Sequence, residues 1–294
     1  MLVSSRNLLV VLALAAAVLC PARPAAAIAN GDDAPDRAYR FAVMLTMTGL
    51  PAEGGGTRDS WCSGALIAPR WVITAGHCFR DADGRRVSRT VAERTTAVVG
   101  RAELSGADGH EVEVVGAVQA EGADVALAEL GEAVTDVPPI PLAGPAPRPG
   151  EVLRLAGFGL TGDGDATRPP DRLQTGTFTV DAVGAALIET SGRSPRADTS
   201  PCPHDSGGPY FRQEPGGRVA LVAVVSSGPS CPHTGPDYSA RVDSLAGWVT
   251  STTAGPAAGP LRSVAWAGAV VLLGSAGLAA VVVARTVRRR PPRG

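Results

Sequence analysis

Lysine is missing from this chain altogether: its 27 cationic side chains are all arginine, set against 28 Asp and Glu. With no basic surplus to neutralise phosphates, no nucleic-acid partner is expected. Histidine is scarce, with only four copies, so the search for a histidine-dependent site is short. None of the five cysteines has C-x-x-C spacing. The usual thiolate metal site is thereby missing, and no metal or cofactor is expected. Sustained helical periodicity is also rare. It shows only in "DSLAGWV" at 243–249, which argues against a helical bundle. No internal repeat is visible.

The two ends are unlike the middle. Arg6 precedes a 12-residue apolar run, Leu8 to Leu19, followed by Pro21, Arg23 and Ala25-Ala26-Ala27. This is the layout of a secretory signal peptide over residues 1–27, cut at an A-x-A site. The run falls short of the ~20 residues a bilayer crossing needs. Farther on, Ser263 to Ala284 gives 22 residues without a charge, with Arg285, Arg288, Arg289, Arg290 and Arg293 close behind. That length and that basic flank predict one transmembrane helix with its C-terminal side in the cytoplasm. Residues 251–262 read as a small-residue linker and 285–294 as a basic cytoplasmic tail. The expected product is a single-pass membrane protein with its body outside the cytoplasm.

That body, residues 28–250, carries 19 arginines against all 28 acids, a charge near −9. Cys20 leaves with the leader. Cys62, Cys78, Cys202 and Cys231 remain, and an even count in an exported domain suggests two disulfides in one of three pairings. Short apolar runs alternate with Gly-, Pro- and Asp-rich turns. "FAVMLTM" (41–47), "WVITA" (71–75), "EVEVVGAV" (111–118), "EVLRLAGFG" (151–159) and "RVALVAVVSS" (218–227) read as strands, several with period two. "GLPAEGGGTRDS" (49–60) and "GLTGDGDATRPPD" (159–171) read as surface loops. The fold class is all-β, a sandwich or barrel.

The chemistry-bearing residues fall into order along this framework. His77 ends the apolar strand of "WVITAGHC" and adjoins Cys78, while His110 and His233 sit in turns. Asp124 opens "DVALAEL", and a carboxylate leading into alternating apolar residues needs a hydrogen-bonding partner. Ser206 lies in "PCPHDSGGPYF" (201–211), where Gly207 and Gly208 admit another backbone close to it. A serine, a histidine base and an acid that orients the histidine are what acyl transfer requires.

Together "IANG" (28–31), "WCSGALIAPRWVITAGHC" (61–78), "DVALAEL" (124–130) and "CPHDSGGP" (202–209) resemble the chymotrypsin-like, trypsin-family serine proteases, whose order is His, Asp, Ser. The resemblance spans nearly the whole body. It implies two packed six-stranded antiparallel β-barrels with a short C-terminal helix, to which this chain adds its transmembrane helix. It implies His77 as general base, Asp124 as orienting acid and Ser206 as nucleophile in a serine endopeptidase acting on peptides or proteins. It also implies Cys62–Cys78 and Cys202–Cys231 disulfides. An oxyanion hole would come from the amides of His204 and Ser206. A freed Ile28 amino group would pair with Asp205. Here the leader cut itself would release that group. The arginine-only, alanine-rich composition suggests a bacterial, actinobacterial source.

The sequence also departs from the family. His204 stands where glycine is usual, and positive φ there would cost on the order of 1–2 kcal/mol. A protease fold silenced by this residue and serving as a binding module is the alternative reading. Ser200 matches the base of the primary pocket, where trypsins carry aspartate. With Ser226, Ser227, Gly228 and a narrowing Pro236 it implies small or medium apolar specificity. An inward-facing Asp237 would instead restore a basic preference.

Overall fold

A computed structural model of the chain describes residues 28–254, apart from 53, 161–167 and 215. A two-residue strand β1 (Asp32–Asp33) comes first. Six strands follow: β2 (Ala42–Pro51), β3 (Thr57–Ala68), β4 (Trp71–Thr74), β5 (Arg94–Val99), β6 (His110–Gln119) and β7 (Ala126–Leu130). They close an antiparallel barrel in the order β2-β3-β4-β7-β6-β5. Then come β8 (Val152–Gly157), β9 (Gln174–Val183), β10 (Leu187–Ser194), β11 (Pro209–Gln213), β12 (Val219–Ser227) and β13 (Asp237–Arg241). Their order is β9-β10-β13-β12-β11-β8, and pairing of β8 with β9 closes this second barrel, leaving β1 paired on β9. A helix α1 (Ala246–Thr253) ends the described body.

The alternation of strand side chains sorts the apolar residues into layers. Val43, Leu45, Val72, Val99, Val112 and Leu130 fill the first barrel. Leu155, Phe178, Val180, Ile188, Tyr210 and Ala223 fill the second, with Ile28 fully buried among them. A third cluster, including Phe41, Trp61, Leu127, Phe158 and Phe211, draws on strands of both barrels. In that cluster the Phe41 and Phe211 rings pack edge to face, 5.2 Å apart at 87°. The barrels are therefore packed on each other, which holds steady any site built from both.

Some expectations shift. The 49–60 stretch is mostly hairpin rather than loop, since β2 runs on to Pro51 and β3 starts at Thr57. The helix continues past residue 250 to Thr253, so the first residues assigned to the linker belong to the body. The leader 1–27, the rest of the linker and the segments 263–284 and 285–294 lie outside the described residues. Among the described residues no helix is long and apolar enough to cross a membrane.

Candidate active site

The first two residues of the site are placed by one strand pair. Thr74 of β4 pairs with Ala126 of β7. His77 lies three residues beyond Thr74, in a 3-10 turn, and Asp124 two residues before Ala126. Antiparallel pairing thus brings both to the same end of the first barrel. The His77 amide donates to Asp124 Oδ1 at 2.9 Å, and its Nδ1–H donates to Oδ2 at 2.7 Å. That leaves Nε2 as acceptor for Ser206 Oγ–H, 2.8 Å away. Ser226 Oγ–H, from β12 of the second barrel, also donates to Asp124 Oδ2 at 2.7 Å. Burial alone would raise the Asp124 carboxyl. Hydrogen bonds from His77 and Ser226 and the charge of His77 outweigh it and hold the group at about 2. Asp124 is therefore a carboxylate throughout the neutral range.

Cys62 of β3 is bonded to Cys78, which ties the His77 turn to the neighbouring strand. Gln119 Nε2 donates to Gly76 O at 2.9 Å from the other side. The second disulfide joins Cys202 to Cys231. It fixes the start of the loop that carries Ser206 to the segment after β12.

That loop is pinned through its carbonyls. Leu160 N donates to Pro203 O at 2.8 Å, and Gly208 N donates to Asp205 O at 2.8 Å. In a planar trans peptide the N–H points opposite to the C=O. The two planes that end in the amides of His204 and Ser206 are thus both oriented. Those amides have no acceptor among the described residues. Ser63 of β3 adds two clamps: its amide donates to Ser206 O at 3.0 Å and its Oγ–H to His204 O at 3.1 Å. A β-carbon at Gly207, where φ is +82°, would lie 2.1 Å from Thr74 Oγ1, so only glycine lets β4 come this close.

His204 does adopt positive φ, +75°. Its ring stacks on Trp61, centroids 3.6 Å apart and 14° from parallel, and its Nδ1–H donates to Trp61 O at 2.7 Å. Burial lowers its pKa, the bond to Trp61 opposes this, and Arg58 adds to the lowering. The ring is thus neutral at pH 7. Trp61 Nε1–H in turn donates to Phe158 O at 2.8 Å. Trp61 and Ser63 went unnoticed in the sequence. The signal was their flanking of Cys62 in the strand that leads to the histidine.

Asp205 is fully buried. Among the described residues its carboxyl oxygens accept from Gly159 N and Cys202 N, each at 2.9 Å. Burial pushes this carboxyl up to about 8. Ile28, whose amino group was expected to meet it, buries its side chain in the second barrel.

A cleft of about 460 Å³ opens beside Ser206, walled by Pro203, Ser226, Ser227, Gly228 and Asp237 among others. Ser200 and Pro236, expected in it, are not among its walls. The Ser200 hydroxyl is buried and accepts the His233 amide at 3.3 Å, and backbone bonds with Ala29 hold the residue behind the cleft. The strand register of β13 instead turns Asp237 and Ser239 inward and Tyr238 outward. Asp237, and not Ser200, is among the residues that wall the cleft. A β-carbon at Gly228 would sit 1.9 Å from Asp237 Oδ1, so the absence of a side chain there makes room for the carboxylate. Among the described residues no group of three or more His, Cys, Asp or Glu is placed to hold a metal ion.

The Trypsin family model matches residues 28–249. A trypsin-like protease of Streptomyces glaucescens is 30% identical over 240 residues, covering 76% of this chain and 82% of that protein. Serine protease 56 of Mus musculus is 28% identical over 257 residues, 78% of this chain. This chain spans only 39% of the length of that mouse protein, and 19% of Transmembrane protease serine 9 of Rattus norvegicus. The solved structure of neuropsin, a serine protease expressed in the limbic system of mouse brain, superposes with a TM-score of 0.58. It is 20% identical and covers 77% of this chain and all of its own. With the family model spanning the whole body and both barrels in place, the chain belongs to the trypsin family of chymotrypsin-like serine proteases.

Proposed function

We propose that the chain is a serine endopeptidase that hydrolyses peptide bonds through an acyl-enzyme on Ser206. The observation that carries this is the unbroken hydrogen-bond chain Asp124–His77–Ser206, assembled from both barrels. His77 Nε2 takes the Ser206 proton as Oγ attacks the scissile carbonyl carbon. Asp124, ionised at neutral pH, stabilises the imidazolium that forms. The oriented amides of His204 and Ser206 serve the developing oxyanion. His77 then gives its proton to the leaving amine, and water attacks the acyl-enzyme by the same route in reverse. The substrates are peptides or proteins outside the cytoplasm.

The 22 uncharged residues from Ser263 and their arginine flank support anchoring in a bacterial cell membrane, with the body outside and the C-terminal tail in the cytoplasm. The Streptomyces relative supports an actinobacterial source. The silenced binding-module reading gains nothing from the site, since His204 leaves the two amides without competing acceptors among the described residues.

A fluorophosphonate probe on the full chain tests the peptidase reading, with the adduct located by mass spectrometry. Labelling at Ser206, absent from Ser206→Ala and slowed by orders of magnitude in His77→Ala, is expected. A folded chain that takes no label would overturn it.

A further inference from the structure

We propose, resting on the peptidase reading, that Arg86 is a positioning residue of the reaction: its guanidinium, admitted over the bare Gly76, holds Asp124 in place behind His77. The segment "FRDADGRRV" (79–87) directly follows Cys78 and turns back on itself. Asp81 Oδ1 accepts from the amides of Asp83 and Arg85, at 3.1 and 2.9 Å, and Gly84 takes positive φ. Val87 N closes the turn on Phe79 O at 2.9 Å, and the buried Phe79 side chain roots it in the first barrel. Arg86 is bridged to Arg80 across this hairpin. Like charges directly opposite each other repel, so the hairpin itself gives no reason for an arginine at 86.

The reason lies at Asp124. The turn carries Arg86 Nη1 to 3.7 Å from Asp124 Oδ1. The same nitrogen donates to the carbonyl of Ala123, the residue just before the acid. Asp124 Oδ2 accepts from two side chains, His77 and Ser226, whereas among the described residues Oδ1 accepts only the His77 amide. Another oxygen lies on the Oδ1 side. Gln119 Oε1 is buried without a partner, because Nε2 of the same amide is committed to Gly76 O and Val87 O. A β-carbon at Gly76 would lie 2.5 Å from Gln119 Oε1, 2.9 Å from Arg86 Nη1 and 3.1 Å from Asp124 Oδ1. Two acceptor oxygens that converge on one spot repel, and a guanidinium beside them attracts both. A side chain at 76 would evict that cation. The arginine and aspartate side chains are 33% and 23% exposed, so the pair adds little to stability. What it fixes is the peptide before Asp124 and the unshared side of its carboxylate, and through them the imidazole that faces Ser206.

In the full chain, the acylation burst with p-nitrophenyl acetate, a small uncharged ester, separates the limiting rate of acylation from the concentration that half-saturates it. Arg86→Gln is expected to lower the limiting rate about tenfold, with half-saturation within about twofold of the parent and the melting temperature nearly unchanged. Arg86→Lys keeps the charge without the planar fork and should recover part of the rate. Gly76→Ala should lose about as much with the arginine still present, since its β-carbon takes the space of the guanidinium. The far-downfield proton resonance of His77 Nδ1–H, bonded to Asp124, should move upfield and broaden in Arg86→Gln. An arginine that only stabilised the turn would leave that resonance alone below the melting point. The proposal is overturned by an unchanged rate and resonance, or by a faster acylation. It is overturned equally by a raised half-saturation at constant rate, which would make Arg86 a substrate contact. A slower rate that lysine does not restore, with a lower melting temperature, would leave Arg86 a structural role only. The resonance needs no turnover. A chain that never acylates, yet loses the resonance with Arg86, would overturn the peptidase reading and leave the positioning standing.

Discussion

At the scale of single residues the decisive case is His204. Its left-handed backbone costs on the order of 1–2 kcal/mol for a residue with a β-carbon. Glycine would relieve this strain. The ring, however, makes two contacts that glycine cannot: the stack on Trp61 and the hydrogen bond to Trp61 O. Such contacts are worth roughly 0.5–1.5 kcal/mol each, so strain and hold nearly cancel in stability. They do not cancel in catalysis, because the ring also fixes the peptide that carries one oxyanion donor. His204→Gly is therefore expected to change the melting temperature little. It should lower kcat by about three- to tenfold at nearly constant KM, well short of the 10²–10³ that follows loss of a donor. Steady-state kinetics on a peptide ester and a peptide amide would check it. A rise in kcat would mean that histidine strains the site rather than holding it.

At the scale of elements, what the sequence displayed depended on how apolar each strand is. In the first barrel β6 showed as an alternating run and β4, buried on both faces, as a continuous apolar one, and both were legible. In the second barrel β10 ("LIETSGRS") and β13 ("DYSAR") are polar, and β11 begins directly after the Ser206 loop. No local pattern marks these three, because pairing with neighbours far along the chain makes them strands. His77, Asp124 and Ser206, which the structure brings together, were legible since acyl-transfer chemistry limits the residue types and the family resemblance supplies their order. The cleft wall was not, since whether Asp237 or Ser200 faces it depends on a strand register that polar residues do not reveal. The disulfides, whose number the cysteine count suggested and whose pairing only the resemblance implied, join elements rather than stabilise strands. Removing Cys62–Cys78, which closes a separation of 16 residues, should cost about 3 kcal/mol. The larger consequence is local, as the His77 turn loses its tie to β3. The Cys62→Ala/Cys78→Ala chain should melt lower and label at Ser206 more slowly even well below its melting point. Unchanged labelling would show that Gln119 and Asp124 suffice to place the histidine.

At the scale of the whole molecule the open question is what meets Asp205. A fully buried carboxyl held at about 8 is an ionisation that the fold resists. The unfolded chain releases that proton near the ordinary aspartate value of 3.8. Between those two values the native state holds a proton that the unfolded state has lost, so raising pH favours unfolding. The slope is at most about 1.4 kcal/mol per pH unit over that window. Below about pH 4 both states are protonated and the penalty vanishes. A free ammonium at Ile28 would reverse the balance, since an ionised Asp205 would then have a buried partner. Two chains should therefore differ, one beginning at Ile28 and one carrying Ala27 before it. The longer chain should lose stability steadily as pH rises from about 5 to about 8, and Asp205→Asn should flatten its profile. The shorter chain should show a nearly flat profile and faster labelling of Ser206, because the Asp205 side chain and Ser206 share one short loop. Chemical denaturation across that pH range reads both. Equal slopes in the two chains would mean that the amino group at Ile28 does not reach Asp205, and that the leader cut does not set the Ser206 loop.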